Sequence, residues 1–160
     1  IGLGHVGKQT AAVFRGLGCP VLGHDVLDLR AYCAAHQLGF GSLDEVLATS
    51  DVVSLHVPLT AATRGLIGAA ELARMKPGAF LINTSRGGIV DEDALVEALE
   101  RGHLAGAASD VFAEEPTRNA RLLALESFIA TPHVGGNSRE AIAAVGSAAI
   151  DNLLRHFGRR

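Results

Sequence analysis

The chain begins Ile1-Gly2-Leu3-Gly4-His5-Val6-Gly7, a G-x-G-x-x-G turn with almost nothing in front of it. Such a turn ordinarily follows a β-strand and opens a helix. Its first glycine allows a tight bend, its second lets the backbone approach a pyrophosphate, and its third lets helix and strand pack closely. Gly2, Gly4 and Gly7 therefore point to a dinucleotide seat. By itself the turn is a weak signal, so its weight depends on the residues downstream of it. The strand before it is only a stub, which reads as a cut inside the first strand and thus as part of a larger protein.

Beyond the turn, short apolar runs alternate with longer amphipathic stretches, the pattern of a doubly wound parallel α/β sheet. Residues 5–17 suit a helix stopped by Gly18, and Pro20–Gly23 a short strand ending at His24-Asp25. Leu29–His36 reads as a helix, with a short strand near Phe40. Ser42 is placed to cap Leu43–Thr49, with Glu45 completing a capping box. Further strands are expected at Asp51–Val57, Ala79–Thr84, Ala105–Val111 and Phe128–Thr131. A helix is expected over Asp91–Arg101, and a long closing helix over Arg139–Phe157, where Ile142, Val145, Ala149 and Leu153 recur at helical spacing. No linker or repeat interrupts the 160 residues, which read as one domain.

Composition narrows the class. An apolar content of 48% against 19% charged residues fits a buried parallel sheet. A net charge of -3 supplies no basic face for nucleic acid. The uncharged run between Asp51 and Arg64 is too short and too polar to cross a membrane. Cys19 and Cys33 have neither disulfide nor metal-ligand spacing and read as reduced, buried or half-buried thiols of a cytoplasmic protein. The histidines likewise lack metal-ligand spacing, so no metal is expected; His36, His103 and His156 read as solvated.

In an open α/β sheet, ligands bind beyond the carboxyl ends of the strands. The residues there are Asp25, His56-Val57-Pro58, Ser85-Arg86, Asp110 and His133. Asp25 follows Gly7 at close to the ~20-residue spacing at which a carboxylate meets the adenosine ribose, and it would repel a 2′-phosphate, favouring NAD over NADP. Arg86 emerges among small residues, where a guanidinium can hold a carboxylate with paired hydrogen bonds or simply pair with a neighbouring acid. His133 precedes Val134-Gly135-Gly136 and suits proton donation near neutral pH, although a lone histidine is more often structural. The acids of Asp110-Val111-Phe112-Ala113-Glu114-Glu115-Pro116 either cap the next helix or stand beside the imidazole and fix its tautomer.

Taken in order, GLGHVG, SLHVPLTAATRGLIG, MKPGAFLINTSRGGIVDEDAL, ASDVFAEEP and TPHVGG resemble the D-isomer-specific 2-hydroxyacid dehydrogenases over essentially the whole chain. That family includes phosphoglycerate dehydrogenase, glyoxylate/hydroxypyruvate reductase, D-lactate dehydrogenase and formate dehydrogenase. The resemblance implies a Rossmann-type NAD domain and a catalytic set of Arg86, Glu115 and His133. It implies cofactor contacts from Gly2, Gly4, His5, Val6 and Gly7 at the pyrophosphate, Asp25 at the ribose, and Val57 and Pro58 on the adenine side. Thr84, Ser85, Arg86, Asp110, His133 and Gly135 would surround the nicotinamide, with Asp110 near its carboxamide.

The implied reaction moves a hydride between the nicotinamide and C2 of a 2-oxo or 2-hydroxy acid, with His133 as acid–base, Glu115 as its partner and Arg86 on the substrate. Glutamate rather than glutamine at position 115 argues against a formate dehydrogenase. The resemblance also implies a homodimer through the cofactor domain and a substrate-binding domain, of which none is present. A free chain of this length is therefore expected to bind NAD weakly and turn over 2-oxo acids poorly. The alternative reading is an NAD-sensing corepressor resembling the C-terminal binding proteins, which share the fold and the triad.

Overall fold

The computed structural model describes residues 1–158. In chain order the elements are α1 (His5–Gly16), β1 (Leu22–Gly23), α2 (Arg30–Ala35), β2 (Gly39–Phe40), α3 (Leu43–Thr49), β3 (Val52–Leu55), α4 (Ala69–Arg74), β4 (Phe80–Asn83), α5 (Glu92–Glu100), β5 (Gly106–Ser109), α6 (Ala120–Leu123), β6 (Phe128–Ala130) and α7 (Arg139–His156). Every strand pairing is parallel, β1 with β2 and β3-β4-β5-β6 in sequence.

Residues 1–3 join these two groups although they form no strand of their own. Gly2 N donates to His24 O at 2.8 Å on one side, and His56 N donates to Ile1 O at 2.8 Å on the other. The spatial order is therefore β2, β1, residues 1–3, β3, β4, β5, β6. Strand order reverses at the glycine turn, the place where open α/β sheets bind ligands.

Alternation along the strands places the core on one face. Val53, Leu81, Ala107 and Phe128 lie in register across β3 to β6, all buried. They pack into one cluster with Leu47, Leu72, Leu95 and Val96 of α3, α4 and α5 and with Leu122 of α6. The other face leaves Val52, Phe80 and Ile129 exposed.

Several helix starts follow from local chemistry. Ser42 Oγ accepts from Glu45 N, Asp91 Oδ1 from Asp93 N and Ala94 N, Asn119 Oδ1 from Leu122 N, and Ser138 Oγ from Ala141 N. Only the serine half of the box expected at Ser42 forms, because the Glu45 carboxylate lies beside Gly41. Two short helices, α4 and α6, have too few residues for a legible apolar period.

The structure corrects four further expectations. The helix over Arg139–His156 forms but does not close on the core, since none of its residues is buried. Its stripe of Ile142, Val145 and Leu153 is 58–71% exposed, for helical period specifies a face and not a partner. His103 is half-buried rather than solvated, its Nε2 3.0 Å from Met75 O. Cys19 is exposed, while Cys33 is buried; both are free thiols. The strands are also shorter than the apolar runs, because only residues with ladder partners count.

Candidate active site

The carboxyl edge carries two groups of residues. The first is the glycine turn. Gly2 adopts φ +87°, and a Cβ there would lie 2.7 Å from His56 O. A Cβ on Gly7 would lie 1.9 Å from Gly2 O, so α1 enters directly against the turn. Gly4, by contrast, faces open space. It is the N-cap of α1, no side chain caps that helix, and no acid lies in its first turn. The amides of this helix end thus face outward beside exposed His5 and Val6.

Asp25 flanks the turn. Its Oδ2 accepts from Leu3 N at 2.7 Å and its Oδ1 from Leu27 N at 2.9 Å. Burial alone would raise this carboxyl, but those two amides and the nearby His24 outweigh it and hold Asp25 below the usual carboxylate range. On the other side, Val57 Cγ1 packs against Gly2, and Pro58 is exposed.

The second group stands at the ends of the adjacent strands β4, β5 and β6. Buried Asn83 organises the first loop: its Oδ1 accepts from Ser85 N and Ser85 Oγ, and its Nδ2 donates to Arg86 O. Nothing local in the sequence assigns Asn83 this role; an amide side chain closing an apolar strand was the available signal. Arg86 and Thr84 are exposed, and Arg86 donates to Ser85 O at 2.6 Å. Among the described residues its guanidinium has no carboxylate partner.

Asp110, buried at the end of β5, holds the loop after β6. Its Oδ1 accepts from Thr131 Oγ1 and Val134 N, and its Oδ2 from Gly135 N at 2.9 Å. Burial pushes this carboxyl up, and the three donors more than offset that, leaving it low. These bonds bracket His133, which sits at the crest with φ +54°. His133 Nδ1 lies 2.8 Å from Glu115 Oε2, while Glu115 Oε1 accepts from Phe112 N at 3.0 Å. An ionised carboxylate only accepts, so Nδ1 carries the proton and Nε2 is left for other chemistry. The His133 hydrogen bond, followed by the Phe112 amide, keeps Glu115 below the usual range.

A family model described as "D-isomer specific 2-hydroxyacid dehydrogenase, NAD binding domain" matches residues 1–135. The chain belongs to the D-isomer-specific 2-hydroxyacid dehydrogenase family. It is 43% identical over 156 residues to a glycerate dehydrogenase of Methylorubrum extorquens, covering 96% of this chain and 47% of that protein. A glyoxylate reductase from Paecilomyes thermophila superimposes with a TM-score of 0.89 at 37% identity, covering 95% of this chain and 46% of that one. The NAD-complexed D-isomer specific 2-hydroxyacid dehydrogenase from Lactobacillus delbrueckii ssp. bulgaricus gives a TM-score of 0.88 at 32% identity, covering 99% and 52%. The chain spans about half the length of these relatives.

As a member of this dehydrogenase family the domain takes NAD as its cofactor. The residues present fit that group. The space outside Gly4 and the uncapped amides of α1 suit a pyrophosphate. Asp25 presents a carboxylate at the end of β1, where a ribose hydroxyl can donate to it. Among the described residues, no cluster of metal-ligating side chains is found, and no helix is long and apolar enough to cross a membrane.

Proposed function

We propose that these residues are the cofactor and acid–base half of an enzyme that interconverts D-2-hydroxy acids and 2-oxo acids. The observation that carries this reading is the Glu115–His133 pair on the strand edge that also presents Arg86 free of any acid partner among the described residues. Bound NAD supplies or takes up the hydride. In reduction, His133 Nε2 gives a proton to the substrate oxygen as the hydride reaches C2. Glu115 holds Nδ1–H, which fixes the tautomer and turns Nε2 toward the substrate oxygen. Arg86 takes the substrate carboxylate and polarises the adjacent carbonyl through paired N–H groups. Asp110 keeps His133 at the crest of its loop and retains acceptor capacity for the nicotinamide carboxamide.

The same reading makes the working protein a two-domain, cytoplasmic homodimer. The length of the relatives supports the second domain. The two unpaired thiols fit a reducing compartment. The exposed apolar stripe of α7 and the open face of the sheet are surfaces that a further domain or a second copy would cover.

The test is NADH oxidation by the full-length protein with glyoxylate, hydroxypyruvate and 3-phosphohydroxypyruvate. Turnover of at least one, lost in His133→Ala with NADH binding retained, supports the enzyme. No turnover of any 2-oxo acid, or full turnover in His133→Ala, overturns it. The 160-residue chain alone is expected to turn over poorly in the same assay.

A further inference from the structure

The loop that presents Glu115 is gripped by a second carboxylate for which the acid–base chemistry has no use. Two successive amides of this loop each meet a glutamate. Phe112 N donates to Glu115 Oε1 at 3.0 Å, and Ala113 N donates to Glu92 Oε1 at 2.8 Å. Glu92 is the first residue of α5 and half-buried. A glutamate in a first helical turn ordinarily faces solvent and is favoured by the helix N-terminus alone. This one commits an oxygen to the backbone of a loop 21 residues away.

A second contact joins the same segments. Gly87, next to Arg86, lies so close that a Cβ would be 1.8 Å from Phe112 O and 2.6 Å from Ala113 N. The arginine loop and the glutamate loop thus meet backbone to backbone. Glu92 then reaches from the far end of the arginine segment to the amide at that meeting point.

We propose that Glu92 is a positioning residue: its carboxylate, together with the Gly87–Phe112 contact, holds the loop bearing Glu115 in place against the loop bearing Arg86. Its effect on turnover rests on the dehydrogenase reading; its effect on Glu115 does not. Without this acceptor Ala113 N loses its partner, and the adjacent Phe112 N, which aims Glu115, loses its anchor. Glu115 then meets His133 for a smaller fraction of the time. The NAD seat at Gly2–Gly7 and Asp25 lies on other strands and is untouched.

Two conservative variants separate reach from charge. Glu92→Gln keeps an acceptor oxygen at the same distance, whereas Glu92→Asp keeps the charge and the helix-start acid but falls one methylene short. In the full-length protein, Glu92→Asp is expected to lower kcat about 5- to 30-fold with KM for NADH unchanged. It is also expected to move the Glu115 carboxyl titration, followed by 13C NMR, up toward the ordinary range. Glu92→Gln is expected to recover both. The proposal is overturned if Glu92→Asp matches wild type in the Glu115 titration, or if Glu92→Gln is the more impaired of the two. Absence of turnover in wild type would sink the dehydrogenase reading alone, since the Glu115 titration still decides the role of Glu92.

Discussion

Glu115 and His133, 18 positions apart, are joined by a 2.8 Å hydrogen bond between Oε2 and Nδ1. The carboxylate is aimed from behind by Phe112 N, and the imidazole is held at φ +54° beside two successive amides bound to Asp110. Neither side chain is buried, so the pair owes its geometry to the backbone of two loops rather than to packing.

This arrangement sets the pH behaviour of the pair. The Glu115 carboxyl is depressed chiefly by His133, so the folded state holds its proton more weakly than the unfolded chain does. Its contribution to stability is therefore present above the ordinary glutamate range and lost as pH falls through the depressed value. Acid unfolding of wild type and Glu115→Gln should separate near neutral pH and converge below that value. Curves that stay parallel down to the most acid pH would contradict the assignment.

Asp110 is the buried counterpart. In Asp110→Asn one oxygen becomes an NH2 that cannot accept, leaving the amide of Val134 or Gly135 without its partner. The expected loss is about 1–3 kcal/mol in urea denaturation at pH 7. Because the carboxyl is depressed in the fold, the gap to wild type should narrow as pH falls through its folded value.

Asp25 serves the turn as well as any ribose, since its Oδ2 already binds Leu3 N. Asp25→Ala should weaken NADH binding by about 10-fold or more, as one charge-assisted bond is worth ~1.5–3 kcal/mol. It should not gain useful NADPH binding, because the turn itself loses an anchor. Fluorescence titration with both nucleotides checks this, and an Asp25→Ala protein that binds NADPH as wild type binds NADH would refute it.

Arg86→Lys keeps the charge but loses the planar fork. Steady-state kinetics of the full-length protein should show KM for the 2-oxo acid raised about 10-fold or more with NADH binding intact. Equal losses for both ligands would mean that Arg86 supports the fold of its loop rather than the substrate.

Much of this molecule is legible from residues close together in the chain. The glycine spacing of Gly2, Gly4 and Gly7 requires close backbone approach, and the structure shows that approach between Gly7 and Gly2 O. Ser42 caps α3 through the amide of Glu45, three residues on. These features depend on bond geometry and solvation over a few residues, so sequence by itself determined them. Which face of β3 and β4 is buried was not legible, since Phe80, Leu81 and Ile82 are all apolar and only register against the neighbouring strands separates them.

Tertiary structure decided what depends on strand register and loop packing. That Leu3 N meets Asp25, that Asp110 ties down the loop of His133, and that Glu92 takes Ala113 N are hydrogen bonds between distant residues. His103 left the solvent for Met75 O for the same reason. The helical period of α7 was readable, but that none of its residues is buried among the described residues was not. The opening turn pointed to a dinucleotide; only the folded sheet showed which carboxylates hold the loops that would use it.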